Sequence, residues 1–205
     1  MSPKSSFHDL LAQARGGDPE ALGSLLQWYA NYLSILACSQ LDHRLRQRLS
    51  PSDIVQEAML AAHRDFQAFR GDSQGELLCW LRSILINTLH RSFQEHVAVQ
   101  KRDVRREVSL EAVSNRLEES AVQLAALIPA NDTSPSAPMR ARESAVELAN
   151  ELSRLKPDYQ EVITLRVLQG LPFDEIAERM NRNSGAVRML WLRALTSFRS
   201  NGGVD

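Results

Sequence analysis

Between residues 129 and 138 the chain reads Pro-Ala-Asn-Asp-Thr-Ser-Pro-Ser-Ala-Pro, three prolines in ten positions. Each proline lacks a backbone N–H and fixes φ, so a helix does not propagate through such a run. The small polar residues between them bury no core, so the run reads as a linker. One ordered block precedes it, up to about Glu107, and another follows from about Arg142 to Ser200. Both carry apolar residues at helical spacing, and strand propensity is low. The expectation is an all-α chain of two small helical domains joined by a Pro/Ser-rich linker. Ser109 to Ile128 reads as a short helix or two.

In the N-terminal block Asp18-Pro19 and Ser50-Pro51 are start signals, a capping side chain followed by proline at the first helical position. Leu22, Leu25, Leu26, Tyr29, Leu33 and Leu36 follow the first, and Ile54, Val55, Ala58, Leu60, Ala61 and Ala62 the second. Arg70-Gly-Asp-Ser-Gln-Gly75 is a polar breaker. A long helix from about Glu76 places Leu77, Leu81, Ile84, Leu85, Thr88 and Leu89 on one side, completing a three-helix arrangement. From Arg82 to Arg106 there are six Lys/Arg against two acids, with Trp80, Asn87 and His90 interleaved. Aromatic, amide and basic groups in that mixture suit single-stranded nucleic acid, where bases stack and phosphates pair. Trp80 reads equally well as a core residue.

In the C-terminal block Val146, Leu148, Ala149, Leu152 and Leu155 form one amphipathic stripe, and Lys156-Pro157 separates it from Val162, Ile163, Leu165 and Leu168. Gly170 ends that helix. Leu171–Met180 and a helix from about Gly185 then flank the tight turn Asn181–Ser184, with Ser184 as expected N-cap. Two short helices around such a turn read as a helix-turn-helix. Val187, Leu190, Trp191, Ala194, Leu195 and Phe198 make its inward stripe, leaving Arg188, Met189, Leu192 and Arg193 outside. From Glu143 to Arg179 there are four Lys/Arg and eight acids; from Arg182 to Ser200 there are four arginines and no acid. An acidic block thus turns basic where a phosphate backbone would dock.

Overall charge excludes other classes. Twenty-four Lys/Arg against 25 Asp/Glu give a net charge of −1, so the chain is not a globally basic binder. Cys38 and Cys79 lack CxxC spacing and sit in apolar contexts, so they read as buried thiols. The five histidines do not cluster as ligands, and no phosphate loop or nucleophile–base pair stands out. An enzyme, a metal site and a cofactor are therefore not expected. No signal-type apolar core follows Met1–Ser6, and no apolar run approaches the ~20 residues that span a bilayer. The expectation is a cytoplasmic protein with no membrane partner.

The order of features is more informative than any one of them. Ala14-Arg-Gly-Gly-Asp-Pro-Glu-Ala-Leu22 is followed by Asp53-Ile-Val-Gln-Glu57, Phe69-Arg-Gly-Asp-Ser73, Trp80-Leu-Arg82 with Asn87-Thr88, a linker and a helix-turn-helix. This order resembles the bacterial RNA polymerase sigma factors of the extracytoplasmic-function group, within the sigma-70 family. The resemblance implies region two over 7–107, a linker over 108–141 and region four over 142–200. It implies that Asp53, Gln56 and Glu57 grip the β′ clamp coiled coil of core RNA polymerase, with the β subunit also a partner. It places Arg70, Asp72, Ser73, Trp80, Arg82, Asn87 and Arg91 at the minus-ten element of promoter DNA. It places Arg182, Ser184, Gly185, Arg188, Met189, Leu192 and Arg193 at the minus-thirty-five element. An anti-sigma factor is a further candidate partner. Many members carry Ser or Arg where this chain has Met189, Leu190 and Leu195, so Met189 and Leu192 would offer apolar contact to thymine methyls. Two alternatives stay open on the residues alone: a conventional helix-turn-helix regulator, and a helical adaptor without DNA binding.

Overall fold

The computed structural model describes residues 6–41, 45, 48–98, 109–127 and 137–201, and every regular element among them is helical. The α-helices are α1 (Phe7–Arg15), α2 (Pro19–Gln27), α3 (Ala30–Gln40), α4 (Pro51–Asp65), α5 (Gln74–Ala98), α6 (Leu110–Ala125), α7 (Ala137–Ser153), α8 (Pro157–Ile163), α9 (Phe173–Arg179) and α10 (Ser184–Asn201). A π-turn, Thr164–Leu168, extends α8, and Gly170 ends it at φ 66°.

Local chemistry sets most helix starts. Ser6 and Asp9 form a reciprocal capping box on α1, and Asp18 accepts from the Glu20 and Ala21 amides at the start of α2. Proline occupies the first turn of α2, α4 and α8. The N-terminal block departs from the three-helix expectation. Phe7–Arg15 adds a helix, and the stripe from Leu22 to Leu36 is divided at Trp28–Tyr29. Tyr29 turns into the core there, while Trp28 stays 39% exposed.

The stretch 108–141, read as linker, contains a packed helix. Ser109 caps α6 by accepting from the Ala112 amide at 3.1 Å. Val113, Leu117, Ala121 and Leu124 lie on one face and are buried. That face packs on α3 and α5 of the first block and on α7 and the π-turn of the second. The buried apolar side chains of both blocks and of α6 form one continuous core. The physical reason is the amphipathic period of 113–124, which follows the charged run and precedes the prolines; an apolar face of that size requires a partner. Of the proline-rich run itself, 128–136 lies outside the described residues.

Candidate nucleic-acid interface

The C-terminal interface is built from α8, α9 and α10. Ile176 and Ala177 of α9 and Val187 and Ala194 of α10 are buried, and the two helices pack together. Asn181 makes the turn with φ 50°, a left-handed conformation that Asn tolerates better than most side chains. Asn183 then caps α10: its Oδ1 accepts from the Ala186 amide at 2.7 Å. Ser184, the expected cap, is instead the first helical residue, and its hydroxyl donates to the Asp174 carboxylate. The correction has a simple cause, since the capping side chain must precede the first helical residue.

Arg188, Met189, Leu192 and Arg193 are exposed on one side of α10, as the stripe predicts. Met189 is 51% and Leu192 55% exposed, so two apolar side chains stand among arginines. Phe173 anchors the base of this face. Its ring meets Trp191 edge-on at 6.4 Å, with the Arg166 guanidinium 4.7 Å and that of Arg188 5.8 Å from its centroid. Arg182 is ion-paired with Asp158 of α8. Gly185 is exposed, and a Cβ there would meet only Asn183 Oδ1 at 3.4 Å, so packing does not demand glycine.

In the first block, α4 buries Ile54, Val55, Ala58 and Ala62 and exposes Asp53, Gln56 and Glu57. Leu60 departs from the expected inward set: it is 67% exposed and continues the outward face one turn beyond Gln56 and Glu57. Reading it as core followed from its apolarity; the signal that locates it is its spacing from Asp53, Gln56 and Glu57. Glu57 is ion-paired with Arg91 of α5, so a residue assigned to polymerase meets one assigned to DNA.

The loop before α5 is tightly held. A Cβ on Gly71 would come within 2.6 Å of Glu76 Cβ and 2.8 Å of the Phe69 ring, so only glycine fits. Arg15 of α1 reaches the Gly71 carbonyl and the Asp72 carboxylate, both at 2.7 Å. Glu76 accepts from the Ser73 hydroxyl at 2.7 Å and from the Asp72 and Ser73 amides at 2.9 and 3.0 Å. The Ser73 hydroxyl, followed by those amides, holds the Glu76 carboxyl below its ordinary pKa. Asp72 and Ser73 therefore shape the loop, and Arg70 is exposed on it. Trp80 is half-buried, its ring 5.2 Å from that of Phe69 and 6.3 Å from that of Phe66, in an aromatic wedge beneath the loop.

Asn87 is exposed on α5, but Arg82 is not: it is 5% exposed and ion-paired with Glu118 of α6. The expected phosphate contact from Arg82 is thus unavailable in this arrangement, because α6 covers it. Cys79 is exposed and Cys38 half-buried, where both were expected inside. Among the described residues no three His, Cys, Asp or Glu side chains gather as metal ligands, and no helix is long and apolar enough to cross a membrane.

The family described as Sigma-70, region 4, matches residues 145–197, which span α9, the turn and most of α10. Three relatives match over at least 95% of the chain. The ECF RNA polymerase sigma-E factor of Haemophilus influenzae is 28% identical over 194 residues, 95% of this chain and 94% of that protein. The sigma-E factor of Escherichia coli K12 is 29% identical over 198 residues, covering 95% and 93%. The ECF RNA polymerase sigma factor BldN of Streptomyces coelicolor is 26% identical over 199 residues, 96% of this chain and 66% of that one. The exposed helix-turn-helix, the matched region and these likenesses support an extracytoplasmic-function factor of the sigma-70 family.

Proposed function

We propose that the chain works as a two-headed sigma factor, a non-enzymatic cytoplasmic protein that directs core RNA polymerase to its promoters and starts transcription there. The observation that carries this reading is the face of α10, where Arg188, Met189, Leu192 and Arg193 stand exposed behind a helix-turn-helix within the matched region. A major groove admits such a helix, arginine serves phosphates or guanine edges, and Met189 and Leu192 suit thymine methyls. This head reads the minus-thirty-five element, with Arg182, Ser184 and Gly185 at the phosphate end of the helix.

The other head, over 7–107, grips the β′ clamp through Asp53, Gln56 and Glu57, with Leu60 as apolar centre of that face. Interface energy concentrates where an apolar anchor is ringed by polar groups. Asn87 presents an amide that both donates and accepts, suited to the edge of a flipped minus-ten base. Trapping that base offsets the few kcal/mol of unstacking. Arg70 and Arg91 serve the adjacent phosphates, while Asp72, Ser73 and Trp80 hold the loop and helix in place. Arg91 becomes available when polymerase engages Glu57. An anti-sigma factor would act by covering one of these faces.

The test is retention on purified bacterial core RNA polymerase. The parent chain is retained stoichiometrically, and Gln56→Ala with Glu57→Ala weakens retention without changing helicity by circular dichroism. Equal retention of parent and variant would remove the α4 face from the interface.

A further inference from the structure

The motif Ala14–Leu22 carries one side chain that the two-headed reading leaves without a role. Arg15 is the last residue of α1, and beyond it the chain turns through Gly16 and Gly17, the latter at φ 92°. The guanidinium reaches the loop before α5, 56 and 57 positions further along the sequence. Its Nη2 donates to the Gly71 carbonyl and its Nη1 to the Asp72 carboxylate, both at 2.7 Å. Among the described residues, no other side chain of α1 makes a hydrogen bond to a later part of the fold. We infer that Arg15 is a positioning residue for base reading at the minus-ten element. It acts through Gly71 and Asp72 and sets the loop that carries Arg70. The inference rests on the promoter reading above.

The loop is gripped by two different groups. Its backbone at Gly71 lies against Glu76 and the Phe69 ring, with no room for a Cβ. The Glu76 carboxylate takes the Asp72 and Ser73 amides at 2.9 and 3.0 Å. Arg15 takes the groups that Glu76 leaves, the Gly71 carbonyl and the Asp72 side chain. Asp72 is thus fixed at its amide by one residue and at its carboxylate by another. Arg70, just before this pinned pair, is exposed and makes no hydrogen bond or ion pair among the described residues. A guanidinium suits the task because it is a planar fork with a donor for each acceptor; a lysine ammonium would serve both from one point. The Arg15 and Asp72 side chains are 38% and 83% exposed, so their ion pair adds little to global stability. Its effect is local, on geometry and on charge. Without Arg15 the Asp72 carboxylate loses its ion-pair partner and faces the phosphates of a docked promoter strand, where like charge opposes approach.

The test is transcription by purified bacterial core RNA polymerase from a duplex library randomised at both promoter elements, each template carrying a transcribed barcode. Sequencing the barcodes gives the base preference at each element. The parent chain is expected to select bases in both windows. Arg15→Ala should flatten the preference severalfold in the minus-ten window and leave the minus-thirty-five window as in the parent, with retention on polymerase and helicity unchanged. Arg15→Lys, which keeps a charge opposite Asp72 but loses the fork, should fall between the two. Adding Asp72→Ala to Arg15→Ala should flatten the minus-ten window little further, since the arginine acts through that carboxylate. A minus-ten preference in Arg15→Ala equal to the parent's overturns the inference and leaves the promoter reading standing. Loss of preference in both windows, or loss of retention, also overturns it, because Arg15 then serves the fold rather than the loop. A parent chain that selects no bases in either window overturns the reading itself.

Discussion

Glu76 is the residue on which the loop before α5 depends most directly. One oxygen of its carboxylate takes both the Asp72 and Ser73 amides and the Ser73 hydroxyl. Those donors favour the ionised form, which lowers the pKa from its ordinary 4.5. A carboxylate depressed by folding stabilises fully above its unfolded value and loses that contribution as pH falls through the native one. Hydrogen exchange should therefore find the Asp72 and Ser73 amides protected at pH 6 and progressively less so below about 4.5, after correction for intrinsic rates. Glu76→Gln should lower the protection and abolish this pH dependence. A protection factor that stays level through the acid range in the parent would show that Arg15 and Gly71 hold the loop without Glu76.

At the scale of single elements, α10 depends on a cap the sequence places one residue too late. Asn183 supplies the only side-chain acceptor recorded for the first-turn amides of this helix among the described residues. Asn183→Ala should cost about 1 kcal/mol of stability, since an orphaned first-turn amide is left to water. Ser184→Ala should cost less, because its hydroxyl reaches Asp174 rather than a backbone amide. Thermal unfolding of the two variants checks the order, and a larger loss for Ser184→Ala would refute it. The same contrast shows what was legible in the sequence. The Asp18-Pro19 start follows from local chemistry and is as read; Pro51 likewise opens α4, but the Ser50 hydroxyl meets that of Ser52 rather than a first-turn amide, and of the α10 stripe Val187, Ala194 and Phe198 are buried while Leu190, Trp191 and Leu195 are half-buried. The outward turn of Leu60, the division at Trp28–Tyr29 and the burial of Arg82 depend on which neighbours arrive from elsewhere in the chain. Periodicity carries no record of those neighbours. The exposure of Asn87, Arg188 and Arg193 was legible because polar residues off an apolar stripe point outward by type; the burial of Arg82 was not, its partner Glu118 lying 36 positions away.

For the whole molecule the decisive feature is that α6 belongs to both blocks. Leu117 is fully buried in the middle of its inner face, in a core continuous from α3 and α5 to α7 and the π-turn. Two domains on a loose tether would unfold independently, each with its own transition. A shared helix couples them, because loss of its packing exposes apolar surface on both sides at once. Leu117→Ala removes a side chain that such a tight site cannot refill, at a cost of about 2–5 kcal/mol. For a chain of this size each kcal/mol shifts Tm by about 2–4 °C, so a drop on the order of 10 °C is expected. Calorimetry of the unbound parent should show one transition, and the variant should move it whole. Two transitions in the parent, with only one displaced by Leu117→Ala, would mean that the blocks are held apart in solution and that α6 belongs to one of them. With a single transition, parting the blocks requires an external source of free energy.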